Sequence, residues 1–125
     1  MTGLVSYHAG LAAEDAGLAA EDIVARNYAA RAHQVAARRW RGKSGEIDLV
    51  MRDGDTVVFV EVKKSASFAQ AALRLGRRQM DRLCASAAEF LAGEPLGQLT
   101  DMRFDLALVD RRGAVSVIEN AFMEA

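Results

Sequence analysis

The stretch GEIDLVMRDGDTVVFVEVKK, residues 45–64, joins two apolar runs through a tight turn and places charged residues inside both runs. Runs of Val, Ile, Leu and Phe on either side of a Gly-containing turn predict a β-hairpin, with strands at 46–52 and 56–63. A carboxylate inside an apolar strand costs free energy unless water or a partner satisfies it. Asp48 and Glu61 therefore either face solvent or share a cation.

Asp48, Glu61 and Lys63 share a face whichever turn closes the hairpin. Side chains alternate along a strand, so Glu61 and Lys63 point to the same side. A loop at residues 53–54 sets Asp48 opposite Phe59, and a loop one residue later sets it directly opposite Glu61. Because paired residues lie on one side of a sheet, both registers bring Asp48, Glu61 and Lys63 together.

This grouping favours a divalent metal site. Like charges across a strand pair repel, and burial raises carboxyl pKa values. Mg²⁺ or Mn²⁺ suits carboxylate and carbonyl oxygens, whereas one Cys and two His do not suit zinc. A bound metal activates water and stabilises charge on a phosphoryl oxygen. Lys63 could then orient that water, accept its proton or stabilise the pentavalent phosphorus. The alternative is a solvent-facing ladder in which Lys63 screens the two acids.

Length and composition predict a single domain over residues 1–125. The chain is 51% hydrophobic and 26% charged, as in ordinary globular proteins. One cysteine, Cys84, excludes an intrachain disulfide and favours a reducing compartment. The N-terminal residues lack the features of a signal peptide, and no apolar run reaches the ~20 residues needed to cross a bilayer. We expect a soluble, cytoplasmic protein with no membrane partner.

Two helices are predicted, one before and one after the hairpin. The first covers residues 9–31, which are rich in Ala and in acids, and the second runs from about Ala71, more securely from Arg77, to Leu91. The predicted core-facing residues are Leu11, Leu18, Ala25 and Tyr28 in the first helix and Met80, Leu83, Cys84, Ala87, Ala88 and Leu91 in the second. Cys84 is thus interpreted as a small buried hydrophobe.

Three further strands complete the pattern. A weak candidate at 34–40 precedes the hairpin, and strands at 103–110 and 114–119 follow the second helix, joined by a Gly-containing turn. The order α-β-β-β-α-β-β predicts an α/β (α+β) protein with one mixed sheet flanked by helices. Arg103 and Asp105 are interpreted as a buried structural ion pair.

Basic residues form two clusters although the net charge is only −1: one runs from Arg38 to Lys43, and the other consists of Arg74, Arg77, Arg78 and Arg82. Segregated charge of this kind can give a basic surface beside an acidic site. On such a surface the cations would contact the phosphates of a nucleic acid, and a base could stack on the indole of Trp40. The predicted nucleic-acid contacts are Arg38, Arg39, Trp40, Arg41, Lys43, Arg77 and Arg78. The alternatives are a solvated surface for the cations and a core position for Trp40.

The motif GEIDLV followed by VVFVEVK resembles the signature of the YraN family, predicted nucleases of the restriction-endonuclease-like class related to Holliday-junction resolvases. RFDLALVD and IENAF resemble the closing motifs of that family, and the resemblance spans residues 20–122. It implies a restriction-endonuclease-like core whose D…ExK metal site falls on Asp48, Glu61 and Lys63. The helical glutamate of the family falls on Glu21, with Ala20 in place of a glycine.

The resemblance also implies a set of roles. Asp48, Glu61, the Val62 carbonyl and Glu21 would hold Mg²⁺ or Mn²⁺, and Lys63 would act on the attacking water. The chain departs from the family pattern at Ala20, Ser65, Ala69 and Gln79. These departures alter the expected substrate contacts and leave the four central residues intact.

The implied function is hydrolysis of phosphodiester bonds in DNA, branched or structured DNA included. The first alternative is a catalytically weak or inactive nucleic-acid-binding module on the same fold. A third interpretation, suggested by the net charge, is an interaction protein that binds no nucleic acid. Two cuts in one duplex require two active sites, so a homodimer is one of the expected arrangements.

Overall fold

Within residues 3–8, 20–64 and 76–121, the part of the chain that this computed structural model describes, six strands form one mixed sheet with a helix against each face. The strands are β1 (Gly3–His8), β2 (Gln34–Arg41), β3 (Glu46–Asp53), β4 (Thr56–Lys64), β5 (Met102–Val109) and β6 (Ala114–Glu119). The helices are α1 (Ala20–Ala30) and α2 (Arg77–Leu91), and a 3-10 turn (Gly97–Leu99) follows α2.

The strand order across the sheet is β1-β6-β5-β4-β3-β2. β4 and β5 pair in parallel, and the other neighbours pair antiparallel. A parallel pair needs a long crossover, and α2 lies in the segment that connects β4 to β5. The predicted mixed sheet and the order α-β-β-β-α-β-β are confirmed from α1 onward. β1 was not predicted; it pairs with β6 at the edge of the sheet.

The core on one face forms because α1 presents an apolar stripe to the central strands. Val24, Ala25 and Tyr28 pack against residues such as Leu49 and Val60, and all five are buried. Ala25 and Tyr28 were predicted to face the core. The predicted start of this helix, with Leu11 and Leu18, lies outside the described residues.

The core on the other face uses a stripe of α2 that is rotated from the predicted one, because Ser86 is buried on the side away from Cys84. Leu83, Ala87 and Leu91, spaced four residues apart, are buried against the sheet. Cys84 and Ala88 are exposed, so the prediction of a buried Cys84 was wrong. Each lies about 100° around the helix from its buried neighbour, beyond the line of contact with the sheet. None of the helices in the described ranges has the length and apolar character needed to cross a bilayer.

The β2–β3 connection is held against α2 by one carboxylate. Glu89 accepts the backbone N–H groups of Lys43 at 2.8 Å and Ser44 at 2.7 Å. Gly42 permits this approach, because a Cβ there would lie 2.6 Å from a Glu89 oxygen. Gly45 has a φ of +149°, a conformation that side-chain-bearing residues rarely adopt. The start of β3 is thereby fixed beside α2.

Candidate active site

The turn between β3 and β4 adopts the second of the two predicted registers. Leu49 pairs with Val60, which makes Gly54-Asp55 the loop. Gly54 has a φ of +60°, in the left-handed region that glycine adopts without strain. The same register, continued by one residue, sets Asp48 opposite Glu61.

The β3–β4 pairing ends at Leu49 and Val60, and Asp48 bonds across the gap that follows. Asp48 Oδ2 accepts the backbone N–H of Val62 at 2.8 Å. The N–H and C=O of one strand residue point to the same edge, so the Val62 carbonyl also turns toward this gap. Asp48 thus satisfies a β4 backbone donor with one oxygen of its carboxylate.

The side chains of β3 change from one face of the sheet to the other at Asp48. Leu49 packs in the core under α1, whereas Ile47, two residues earlier, packs in the core under α2. Residues two apart in a regular strand share a face, so the alternation of side chains is interrupted at Asp48. Arg39, opposite Asp48 in the β2–β3 register, has a φ of +48°, which is costly for a residue other than glycine. Sequence periodicity gives no sign of this switch.

Glu61 lies among Asp48, Lys63 and Gln79, and its side chain is only 9% exposed. Lys63 Nζ is 3.4 Å from Glu61 Oε2, and Gln79 Nε2 donates to the same oxygen. Burial first, and then the charge and hydrogen bonding of Asp48, raise the pKa of Glu61 to about 7, while Lys63 opposes this shift. The structure therefore brings Asp48, Glu61 and Lys63 together, as the hairpin pattern predicts.

Two carboxyl groups within hydrogen-bonding reach of each other need a proton or a cation between them near neutral pH. Within the described residues, protein donors contact Asp48 Oδ2 and Glu61 Oε2, and the second oxygen of each group is the one that a ligand could use. Carboxylate oxygens and a backbone carbonyl are the donor types that Mg²⁺ and Mn²⁺ prefer. The residues present thus fit a divalent cation of this kind.

A cavity of about 350 Å³ opens beside the carboxylate pair. It is lined by Arg41, Gly45, Glu46, Asp48, Glu61, Arg82 and Leu83. Arg82 was not predicted as a site residue, although it belongs to one of the two basic clusters. Its place on α2, one residue before the buried Leu83, brings it to the cavity. Only the packing of α2 on the sheet identifies it.

Glu21 is not part of this group. It lies on α1, and its carboxylate is 3.3 Å from an Arg39 guanidinium nitrogen. Within the described residues, no group of three or more His, Cys, Asp and Glu side chains could hold a metal ion. The structure therefore assembles two of the three predicted carboxylate ligands, Asp48 and Glu61. The reason is the position of α1, which packs on the opposite face of the sheet.

The predicted nucleic-acid contacts are divided between the two faces of the sheet. Arg38 pairs with Asp22 of α1, whereas Arg41 lines the cavity and pairs with Glu46 at 2.9 Å. Arg77 is 3.8 Å from Asp81 on the exposed side of α2. The side chains of Lys43 and Arg78 are also exposed. Exposed ion pairs contribute little stability, so these arginines can exchange a carboxylate for a phosphate at small cost.

Trp40 is half-buried at the margin of the core under α2. Its ring meets Phe90 edge-on, with 5.4 Å between centroids, and it packs against the buried cluster under α2. Of the two interpretations of this residue, packing describes the observed contacts. The indole fixes β2 to α2 near the cavity.

Arg103 and Asp105 form the predicted structural ion pair. Arg103 Nε is 3.1 Å from Asp105 Oδ1, and Tyr28 donates its hydroxyl to Asp105 Oδ2 at 2.6 Å. Asp105 is fully buried and faces α1 through Tyr28. Glu61 faces α2, so this pair and the candidate site lie on opposite faces.

Comparison with known proteins gives a consistent family assignment. Residues 20–109 match the family model described as Uncharacterised protein family UPF0102. A UPF0102 protein of Cereibacter sphaeroides strain KD131 is 62% identical over 122 residues, which make up 98% of each chain. One of Ruegeria pomeroyi is 63% identical over 99 residues, 79% of this chain and 80% of the relative. One of Roseobacter denitrificans is 56% identical over 122 residues, 98% of this chain and 89% of the relative.

Proposed function

The chain belongs to the UPF0102 (YraN) family, and we propose that it is a metal-dependent nuclease that hydrolyses phosphodiester bonds in DNA, including branched or structured DNA, in the cytoplasm. The observation that carries this proposal is the pair of carboxylates formed by half-buried Asp48 and buried Glu61, with Lys63 beside it at the edge of a cavity. Paired acids with an adjacent amine suit phosphoryl chemistry, and the hydrogen bond from Val62 to Asp48 Oδ2 occupies only one oxygen of the pair's four.

Asp48 and Glu61, with the Val62 carbonyl, are the residues that would hold Mg²⁺ or Mn²⁺. When bound, such an ion supplies an activated water and stabilises charge on the phosphoryl oxygens. β4 continues to Lys64, whereas its pairing with β3 ends at Val60, and this difference creates the gap that Asp48 spans. That gap is the support for the Val62 carbonyl as a ligand.

The protein side chains have separate tasks in this proposal. Lys63, held 3.4 Å from Glu61, orients the attacking water and takes part in moving its proton. Arg82 lines the same cavity from α2, and Arg41 lines it from β2. Both guanidinium groups suit the non-bridging oxygens of the phosphate. Arg41 would leave Glu46 to do so.

The test is cleavage of branched, flapped and linear DNA by the wild type and by Lys63→Met, with Mg²⁺ or Mn²⁺ and with chelator. Methionine keeps most of the side-chain length without the charge, so metal and DNA binding should be retained. Loss of a positioned proton-transfer group should lower the cleavage rate by ~10²–10⁴-fold. The matched control is Lys64→Met, because Lys64 is the next residue of β4 and is exposed.

Three outcomes would contradict the proposed enzyme activity or the proposed role of Lys63. A wild type that binds branched DNA but cleaves no faster than Lys63→Met would be a nucleic-acid-binding module on the same fold. A wild type that binds no branched, single-stranded or duplex probe at low salt would exclude both nucleic-acid functions. Equal rate losses in Lys63→Met and Lys64→Met would show that general charge, and not the site, matters.

A further inference from the structure

Gln79, in the first turn of α2, contacts both charged groups of β4 at once. Its Nε2 donates to Glu61 Oε2, and its Oε1 accepts from Lys63 Nζ at 3.4 Å. A side-chain amide donates through nitrogen and accepts through oxygen, so a carboxylate on one side and an ammonium on the other fix its orientation. The three side chains form a closed triangle, since Lys63 Nζ is also 3.4 Å from Glu61 Oε2.

The amide is carried by a part of α2 that is anchored to the sheet. Leu83, one turn after Gln79, is buried in the core with Phe59 of β4. Sites built on helices and strands are more precise than sites built on loops. Lys63, by contrast, has a flexible stem with three rotatable donors, and Gln79 limits where its ammonium group can lie.

We propose that Gln79 is a positioning residue of the candidate site, and this inference rests on the proposed metal-dependent function. Its amide holds Glu61 by Oε2 and Lys63 by Nζ, so that Glu61 presents its other oxygen to a cation shared with Asp48. Hydrogen bonds to the outer side of a ligating carboxylate set its orientation. The same contact keeps Lys63 beside the carboxylate pair and out of bulk solvent.

The experiment replaces the amide in two ways. Gln79→Leu keeps the bulk and removes both hydrogen bonds, and Gln79→Ala removes the bulk as well. Mn²⁺ affinity of the metal-free proteins is measured by calorimetry, with thermal melting and with kcat and KM for DNA cleavage. The matched control is Gln98→Leu, because the Gln98 amide also makes a hydrogen bond, to the Ala88 carbonyl at 2.8 Å, but in the 3-10 turn after α2.

Both Gln79 variants should bind Mn²⁺ more weakly, within the ~10–100-fold range typical of lost outer hydrogen bonds. Their kcat should fall while KM for DNA stays near the wild-type value, and Gln98→Leu should match the wild type. Variants that melt at lower temperature but bind Mn²⁺ as the wild type does would overturn the inference in favour of a helix-packing role. Unchanged affinity, melting and kcat would overturn it as well. Absence of Mn²⁺ binding by the wild type would overturn the proposed function, and this inference with it.

Discussion

The two faces of the sheet bury carboxylates in opposite ways. On the α1 face, Asp105 is fully buried and accepts hydrogen bonds from the Tyr28 hydroxyl, the Arg103 guanidinium and the Asn120 backbone N–H. On the α2 face, Glu61 is almost as deeply buried, yet its neighbours include a second carboxylate, Asp48.

The difference distinguishes a buried carboxylate that stabilises the fold from one that is available for binding or catalysis. Asp105 has a hydroxyl, a guanidinium and a backbone N–H around it, and the protein supplies all of them, so its carboxylate is satisfied without a further ligand. Glu61 has one ammonium and one amide, and the pKa of its carboxyl rises to about 7 because burial and Asp48 disfavour the charged form. A buried group that the fold leaves destabilised is a candidate for binding or catalysis.

A substitution of Asp105, on the α1 face, should have the largest effect on the free energy of unfolding. Asp105→Asn removes the buried carboxylate but leaves Asp53 and Glu119 each 3.5 Å from Arg103, so the loss of unfolding free energy should reach at most the ~3–5 kcal/mol typical of a broken buried ion pair. Urea unfolding followed by circular dichroism measures this loss. The matched control is Asp81→Asn, an exposed aspartate 3.8 Å from Arg77, for which less than ~0.5 kcal/mol is expected. Equal losses in the two variants would contradict the distinction between the faces.

The pH dependence of stability should test the role of Glu61, on the α2 face. A carboxyl whose pKa rises from 4.5 to about 7 on folding binds more protons when folded, so the metal-free protein loses stability as pH rises from about 4.5 to 7. The full loss is on the order of 3 kcal/mol and is present above pH 7. Asp48→Asn should reduce it, because the amide oxygen still accepts from Val62 while the repulsion is gone.

Thermal melting of both proteins between pH 4.5 and 8 checks this prediction. The loss should shrink without vanishing, because burial is the larger cause of the shift at Glu61. Mn²⁺ should raise the melting temperature of the wild type by linkage and should not raise that of Asp48→Asn. A variant that is less stable than the wild type at pH 7.5, with its Mn²⁺ response intact, would make Asp48 a structural residue.

The smallest effect concerns DNA affinity and compares one arginine from each face. Arg41→Ala, on the cavity side, should flatten the dependence of log K on log salt by ~0.9 for each duplex phosphate that the variant no longer neutralises. Arg38→Ala is the matched control, because Arg38 carries the same charge but pairs with Asp22 of α1. Binding titrations of duplex and branched DNA at several salt concentrations measure both slopes. A flatter slope in Arg38→Ala alone would indicate that DNA binds to the α1 face.

Much of the site could be predicted because it depends on a single hairpin. The turn chemistry and the period of two place Asp48, Glu61 and Lys63 on one face without any knowledge of the rest of the chain. The start of α2 at Arg77 and the bounds of β3 and β4 follow from the same local patterns to within one residue. Local rules decide these features, and local rules can be read from sequence.

The unpredicted features all depend on contacts between distant segments. β1 is a short strand whose pairing partner, β6, lies at the other end of the chain. Cys84 is exposed because α2 meets the sheet with the side that carries Ser86, and helical periodicity does not give the rotation of the helix on the sheet. Glu21 meets Arg39, and not the carboxylate pair, because α1 crosses the other face. No pattern within one element contains this information.

The pairing of β1 with β6 has a consequence for how this family should be produced for experiments. The family match covers residues 20–109 and thus ends before β6 and begins after β1. A recombinant protein cut to those limits would turn β5 into a sheet edge, and its residues from Leu106 to Val109 are buried in the whole chain. Open apolar edges promote aggregation, so such a fragment should precipitate at a lower concentration than the 125-residue chain does.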